Sequence, residues 1–320
     1  MEYIIYPILF VVLLLAELWY FRIADKFNII DKPNERSSHT SITLRGGGII
    51  FPISLVLYYL YTGNYPWLVL GTVAIAAISF IDDIKTLSGK VRILVHLVAV
   101  SLMFYQAGLF AFHWAWIMAA YVLVIGALNA YNFMDGINGI TGTYSLAVLV
   151  PVYFTNNYYQ FVDGGIILFV MLSAVVFLLF NFRAKAKCFA GDVGSISMAL
   201  IVLFLITKLI LVTGDFKYVL FLAVYGVDAV LTIAHRIILK ENIFKAHRRH
   251  LYQYLSNELK WPHLAVSTVY AIMQTVVSGW VLYSCVAMQW WESVAILGFL
   301  GVLYIVVKSL IIKGVIKPVA

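Results

Sequence analysis

Charge is what this chain lacks. Only 12% of its 320 residues are Asp, Glu, Lys or Arg, about half of the roughly 25% found in globular proteins. With 63% hydrophobic residues, too little polar surface remains to cover a water-soluble particle. An ordinary soluble domain is excluded. Cysteine is nearly missing too. Cys188 and Cys285 form no spacing pattern, so neither a disulfide framework nor a Cys-based metal centre is indicated. The alternation expected of lipid-facing barrel strands is absent, and the apolar runs are continuous, which favours helices. The N-terminus has no basic start and no small-residue cleavage site, and it carries Glu2, so the first run reads as a retained span.

What is present is a series of apolar runs near 3–23, 47–62, 66–81, 91–108, 113–128, 140–155, 165–182, 195–213, 218–238, 263–287 and 293–312. Each approaches the roughly 20 residues that a transmembrane helix needs. The expected fold is an all-α polytopic membrane protein of about eleven transmembrane helices. Residues 1–320 form one integral membrane domain on this reading.

The segments between the runs are unequal. Every second one is rich in Asp, Asn, His, Lys and Arg, and those between are bland. Of the 22 Lys and Arg residues, all but Lys208 and Lys217 fall in or beside the rich loops or at the C-terminal end. Cytoplasmic loops carry such an excess, which puts the N-terminus outside, the C-terminus in the cytosol and five motif-bearing loops on the cytosolic side. The net charge of +7 is then mostly a topological signal. It also favours anionic lipid heads and anionic substrates, and nothing calls for nucleic acid.

Five motifs lie on that side. Asp82-Asp83 closes the third run; two adjacent carboxylates at a helix C-terminus repel each other and oppose the helix dipole, and a hard divalent cation would relieve them. In Asn129-Ala-Tyr-Asn132-Phe-Met-Asp135-Gly136-Ile-Asn138-Gly139, polar residues recur every third position, as one helical face requires; a capping turn explains the same residue types. Gly191-Asp192-Val193-Gly194-Ser195 opens the eighth run, where backbone N–H groups can cradle phosphate or simply be capped. His247-Arg248-Arg249-His250 offers phosphate-binding forks and imidazoles, or a basic patch against lipid. Arg45-Gly46-Gly47-Gly48 follows Asp31, Pro33, Arg36 and His39. Asp228, His235 and Glu17, inside apolar runs, read as groups that face a groove or pair internally. Together the motifs suit transfer of a phosphorylated group, with metal and protein neutralising and positioning phosphate.

In this order the motifs resemble those of the polyprenyl-phosphate N-acetylhexosamine-1-phosphate transferases: D-x-P-x-x-R-x-x-H with R-G-G, D-D, N-x-x-N-x-x-D-G, G-D-x-G-S and a late His/Arg loop. The resemblance covers nearly the whole chain. It implies attack by a polyprenyl-phosphate oxygen, such as that of undecaprenyl phosphate, on the β-phosphorus of a UDP-N-acetylhexosamine, giving polyprenyl-diphospho-sugar and UMP. It implies Mg²⁺, with Mn²⁺ as a substitute, membrane lipids as surroundings, the inner membrane as location, and a homodimer.

Residue by residue, the resemblance makes Asp192 the principal metal ligand, with Asn132 second. Asp82, Asp83 and Asp135 fall on the family's acidic positions, and His247 and His250 join them as catalytic candidates. Arg45, Arg92, Asn129, Asn181, Phe189, Arg248 and Arg249 fall at substrate-binding positions. Two departures stand out. Asn138 replaces an acid common in the family, and H-R-R-H replaces the three consecutive histidines of the phospho-MurNAc-pentapeptide transferases. The first weakens any role at that position as base or charged ligand, and the second favours an initiator of surface polysaccharide such as O-antigen over a peptidoglycan enzyme. A lipid-linked anion transporter or flippase, which would carry broken spans and internal repeats, and a polyprenyl-phosphate phosphatase are the other readings.

Overall fold

The computed structural model describes residues 4–31, 42–85, 87–243, 247–284 and 289–315. Lys32, Pro33, Arg36, His39, Lys245, Cys285 and Lys317 lie outside the described residues. The chain is built almost wholly of helices. In a bilayer each helix satisfies its own backbone, so continuous apolar sequence has little alternative.

In chain order the helices are α1 (Ile5–Lys26), α2 (Ile50–Thr62), α3 (Pro66–Ile84), α4 (Gly89–Ala107), α5 (Trp114–Met134) and α6 (Ile140–Tyr159). They continue with α7 (Gly164–Asn181), α8 (Gly191–Thr213), α9 (Ala223–Ile238), the single turn α10 (Leu251–Gln253), α11 (His263–Tyr283) and α12 (Trp290–Ile312). Among the described residues nine helical segments are long and apolar enough to cross a membrane, a tight helical lead-in from Phe216 extending α9 to span length. The chain is therefore an all-α, multi-pass membrane protein. The other two apolar runs are helical as well. Gly47–Thr62 is a shorter apolar helix, and α6 has 20 residues but carries Thr141, Thr143, Ser145, Thr155, Asn156 and Pro151 within them.

Helix α8 is the central post. It is buried over 67% of its apolar window, against 22% for α5 and α12. Helices α2, α3, α5 and α6 pack around it, α11 packs on α6, and α12 reaches the bundle through α9. The outward side chains of α4, α5 and α12, among them Leu94, Val122, Leu123 and Phe299, are apolar and exposed, as lipid-facing positions should be.

The start of α2 is joined to the start of α8 by main-chain pairing. Phe189 N–H donates to Leu44 O at 2.8 Å, Gly47 N–H to Phe189 O at 2.8 Å and Gly48 N–H to Ala190 O at 3.1 Å. This seam brings the Arg45 loop and the Gly191-Asp192 loop together, and it fixes the site.

Candidate active site

Asp83 is the hub. Its side chain is fully buried and accepts from Arg45 Nε at 2.9 Å. It also accepts the N–H of Asp192 at 3.2 Å and of Val193 at 3.3 Å, in the first turn of α8. A carboxylate at a helix N-terminus satisfies orphan donors and complements the dipole. Asp82 points elsewhere. It accepts from Arg92 Nη1 at 2.7 Å and from Leu87 N–H at 2.6 Å. The repulsion expected between these neighbours is met by two arginines on diverging sides, and the pair does not clasp one ion. Arg92, expected to serve substrate phosphate, pairs with Asp82 in this structure and does not line the pocket beside Asp192.

A pocket of about 220 Å³ opens beside the hub and is lined by Arg45, Asn132, Asp135, Asp192, Gln253 and His263, among others. The Asp192 side chain is 24% exposed, with Oδ1 4.0 Å from Arg45 Nη2. Asn132 Oδ1 accepts from Ser195 Oγ at 2.6 Å, so the helix α5 end is tied to α8. Asp135 ends α5 and accepts from Thr141 Oγ1 at 2.5 Å. Asp135 and Asp192 thus line a pocket that also holds Arg45, with Asp83 buried behind that guanidinium.

Burial pushes the Asp135 carboxyl up to about 7 against the Thr141 hydrogen bond, and the Asp192 and Asp83 charges add to the rise. An unfolded Asp titrates near 4, so the folded chain holds this proton more tightly. Its contribution to stability is complete below about pH 4 and is lost as pH rises through about 7. Asp135→Asn should remove that loss. Thermal unfolding in EDTA should show the variant gaining roughly 2 kcal/mol over wild type at pH 8 and little at pH 4, about half the full displacement because the carboxylate borders an open pocket. An equal gain at both pH values would refute the assignment.

The late loop forms another wall. Tyr252 donates to Phe133 O at 2.9 Å and lies so close over Gly136 that any side chain there would collide with its hydroxyl. His247 and His250 face each other with ring centroids 5.0 Å apart. Burial, helped by the nearby Arg236 charge, lowers His247 to about 4, so it is neutral near pH 7. Arg249 is paired within the loop: Nε donates to Glu241 Oε2 at 3.0 Å, Nη2 pairs with the same carboxylate, and its carbonyl accepts from Lys308 Nζ at 2.6 Å. Arg248 sits between these residues in the same loop.

Two further expectations change. Asn181 reaches the pocket wall, but its amide holds the loops together, accepting from Gly139 N–H at 2.7 Å and donating to Cys188 O at 2.8 Å. Asn129 turns back to its own helix, donating to Ile125 O at 2.8 Å, and does not line the pocket. Phe189 does line it. Asn138 donates to Arg183 O at 2.8 Å and Ala184 O at 3.3 Å, a bracing role that an acid could not fill. Cys188 is a buried free thiol, its Sγ 3.6 Å from Glu17 Oε1.

Gln253 and His263 were not singled out in the sequence. His263 opens α11 behind Trp261-Pro262, and that helix-start position was the available signal. A larger depression of about 740 Å³, lined by Tyr6, Tyr65, Asn156 and Asp163, lies at the other end of the bundle and gathers none of the five motifs.

Among the described residues no three His, Cys, Asp or Glu side chains converge as a closed metal cage. The pocket offers oxygen donors from Asp192, Asp135 and Asn132. One or two carboxylates, with water and substrate phosphate completing the shell, is the usual provision for Mg²⁺, and the donor set fits that ion.

A bundle of apolar helices carrying an acid-lined polar pocket at one end suits a membrane-embedded enzyme. The family model for glycosyl transferase family 4 matches residues 65–210, the stretch from α3 to α8 that carries Asp82, Asp83, Asn132, Asp135 and Asp192. The chain is 28% identical over 262 residues to a probable undecaprenyl-phosphate N-acetylglucosaminyl 1-phosphate transferase of Bacillus subtilis, covering 73% of this chain and 71% of that one. It is 25% identical over 254 residues to the phospho-N-acetylmuramoyl-pentapeptide-transferase of Thermotoga maritima, covering 72% and 82%. It is also 25% identical over 214 residues to an undecaprenyl-phosphate alpha-N-acetylglucosaminyl 1-phosphate transferase of Escherichia coli K12, covering 58% and 57%. Over residues 65–210 the chain is thus similar to glycosyl transferase family 4, and the relatives it resembles are named as sugar-phosphate transferases.

Proposed function

We propose that the chain transfers N-acetylhexosamine-1-phosphate from a UDP-sugar to undecaprenyl or another polyprenyl phosphate, as the first step of a bacterial surface polysaccharide such as O-antigen. The reading is carried by one juxtaposition: Asp192, Asp135 and Arg45 share a pocket at the end of an apolar bundle, where a lipid phosphate and a soluble nucleotide can meet. The listing of charge along the sequence supports a cytosolic location for that end, on eleven spans in the inner membrane.

A polyprenyl-phosphate oxygen forms a bond to the sugar-bearing phosphorus, and the bond from that phosphorus to the bridging oxygen of UMP breaks. UMP leaves with the electron pair. A phosphate monoester has its second pKa near 6, so the nucleophile is already largely dianionic and needs orientation more than a base. Mg²⁺, held by Asp192 with Asn132 or Asp135 nearby, would neutralise charge on the transferring phosphate. Arg45, anchored by Asp83, turns its second guanidinium edge toward the same space.

Purified protein incubated with undecaprenyl phosphate, Mg²⁺ and a panel of UDP-N-acetylhexosamines should release UMP with at least one sugar and form a lipid diphospho-sugar. Release only with UDP-MurNAc-pentapeptide would move the chain to peptidoglycan synthesis. No release with any donor, alongside an active control enzyme, would sink the transferase reading.

A further inference from the structure

We propose that Asp228 is a positioning residue that fixes His250 so that its Nε2 is presented to the anionic phosphate of the substrate; this rests on the reaction proposed above. Asp228 is 2% exposed and sits within α9, inside a membrane-spanning segment. An ionisable group there is costly and calls for specific partners. Those partners come from the late loop and from α11. Its Oδ1 lies 3.1 Å from His250 Nδ1 and 3.1 Å from Leu251 N, and its Oδ2 accepts from Tyr270 OH at 2.6 Å. Thr232 Oγ1 adds a contact at 3.2 Å to Oδ1.

The Gln253 N–H also faces the His250 side chain as a helix cap, but it has the His250 carbonyl at 3.1 Å, so the carboxylate, which only accepts, sets the proton on Nδ1. That leaves Nε2 as the free end of the ring. His250 is 2% exposed, and Nε2 is buried with no hydrogen-bond partner among the described residues. A buried polar atom without a partner is expensive. His250 does not itself line the pocket, but Gln253, which holds its N–H, does.

The ring cannot easily turn away. Tyr252 stacks on it at 5.8 Å and 22°, and Phe133, next to Asn132, lies 6.3 Å away. Gln253, which lines the pocket, accepts the His250 N–H at 3.2 Å. The backbone of the loop is clamped from α12 by Lys308 on the Arg249 carbonyl at 2.6 Å. The result is an Asp–His pair in which the carboxylate sets tautomer and direction, and would stabilise an imidazolium donating to phosphate.

The test uses full-length protein with ¹⁵N-labelled histidine in detergent, the His250 signal being assigned through His250→Gln. The expected resting state is protonated at Nδ1 and bare at Nε2; the opposite tautomer overturns the proposal. Asp228→Asn preserves size but places an amide NH₂ among donors, so the pair is lost. Its kcat should fall about 10- to 100-fold, the range for partners that orient a functional histidine, with KM for the UDP-sugar within about threefold. In the His250→Gln background Asp228→Asn should cost nothing further, since residues acting as one unit are not additive. Tyr270→Phe, which removes a different donor from the same carboxylate, should stay within about threefold of wild type. Losses that multiply, or a Tyr270→Phe defect equal to that of Asp228→Asn, would make Asp228 a structural anchor alone. Wild type that releases no UMP sinks the reaction and not the pair, because the tautomer is read without substrate.

Discussion

Asp192→Ala is expected to lower turnover about a thousandfold or more while leaving the fold nearly unchanged. A metal that neutralises transferring phosphate is worth several kcal/mol, and each 1.36 kcal/mol is tenfold in rate. The Asp192 main chain is what holds the local structure, through its N–H on Asp83. Its side chain is part-exposed in the pocket and only 4.0 Å from a guanidinium that Asp83 already holds. Removing that carboxylate takes a donor from the pocket and breaks no buried contact of α3 with α8. Asp83→Ala should behave differently. It strips Arg45 and two α8 N–H groups of their acceptor, so it should lose stability as well as rate. UMP release across a Mg²⁺ titration, paired with thermal unfolding, separates the two. A near-native rate for Asp192→Ala would refute its assignment as the metal-holding carboxylate.

The general layout was readable because polar residues are conspicuous in an apolar sequence. The alternation of rich and bland loops located the motif-bearing end of the bundle, and three of the motifs, Arg45, Asn132 to Asp135 and Asp192, do share one pocket. Side-chain direction was not readable. Asp82 and Asp83 are adjacent letters, yet successive residues on a helix diverge by about 100°, so one joins the site and the other reaches Arg92 across a turn. Arg249 and Asn181 carry the right chemistry for substrate but spend it on Glu241 and on the loop backbone. Asp228 was readable only as a group that faces a groove or pairs internally, because its partner, His250, lies 22 residues away and a single acid in an apolar run has no local pattern. Nor could spacing reveal that Asn138 braces the Arg183 carbonyl. These facts depend on which helices pack together, and packing among uniformly apolar helices leaves little trace in a sequence.

The seam between α2 and α8 sets up a second large effect, at a residue with no side chain at all. Gly48→Ala should cut turnover about a hundredfold and cost about 1–3 kcal/mol of stability, the usual range for overpacking. A Cβ at position 48 would overlap Gly194 Cα and stand 2.9 Å from Ala190 O. Both are backbone atoms, so no rotamer change relieves the clash, and the start of α2 must retreat from the start of α8. Arg45 lies three residues before the glycine, and Asp192 two residues before its neighbour Gly194. Retreat therefore separates the guanidinium from Asp83 and Asp192, and a displacement of about 1 Å in a reacting array can cost 10²-fold. Gly279→Ala is the control. Position 279 is helical with nothing within 4 Å of an added Cβ, so alanine there should be neutral or stabilise by about 0.5–1 kcal/mol. Thermal unfolding and UMP release on both variants decide the matter: a Gly48→Ala enzyme as fast and as stable as the control would mean that the seam yields freely and does not set the geometry of the pocket.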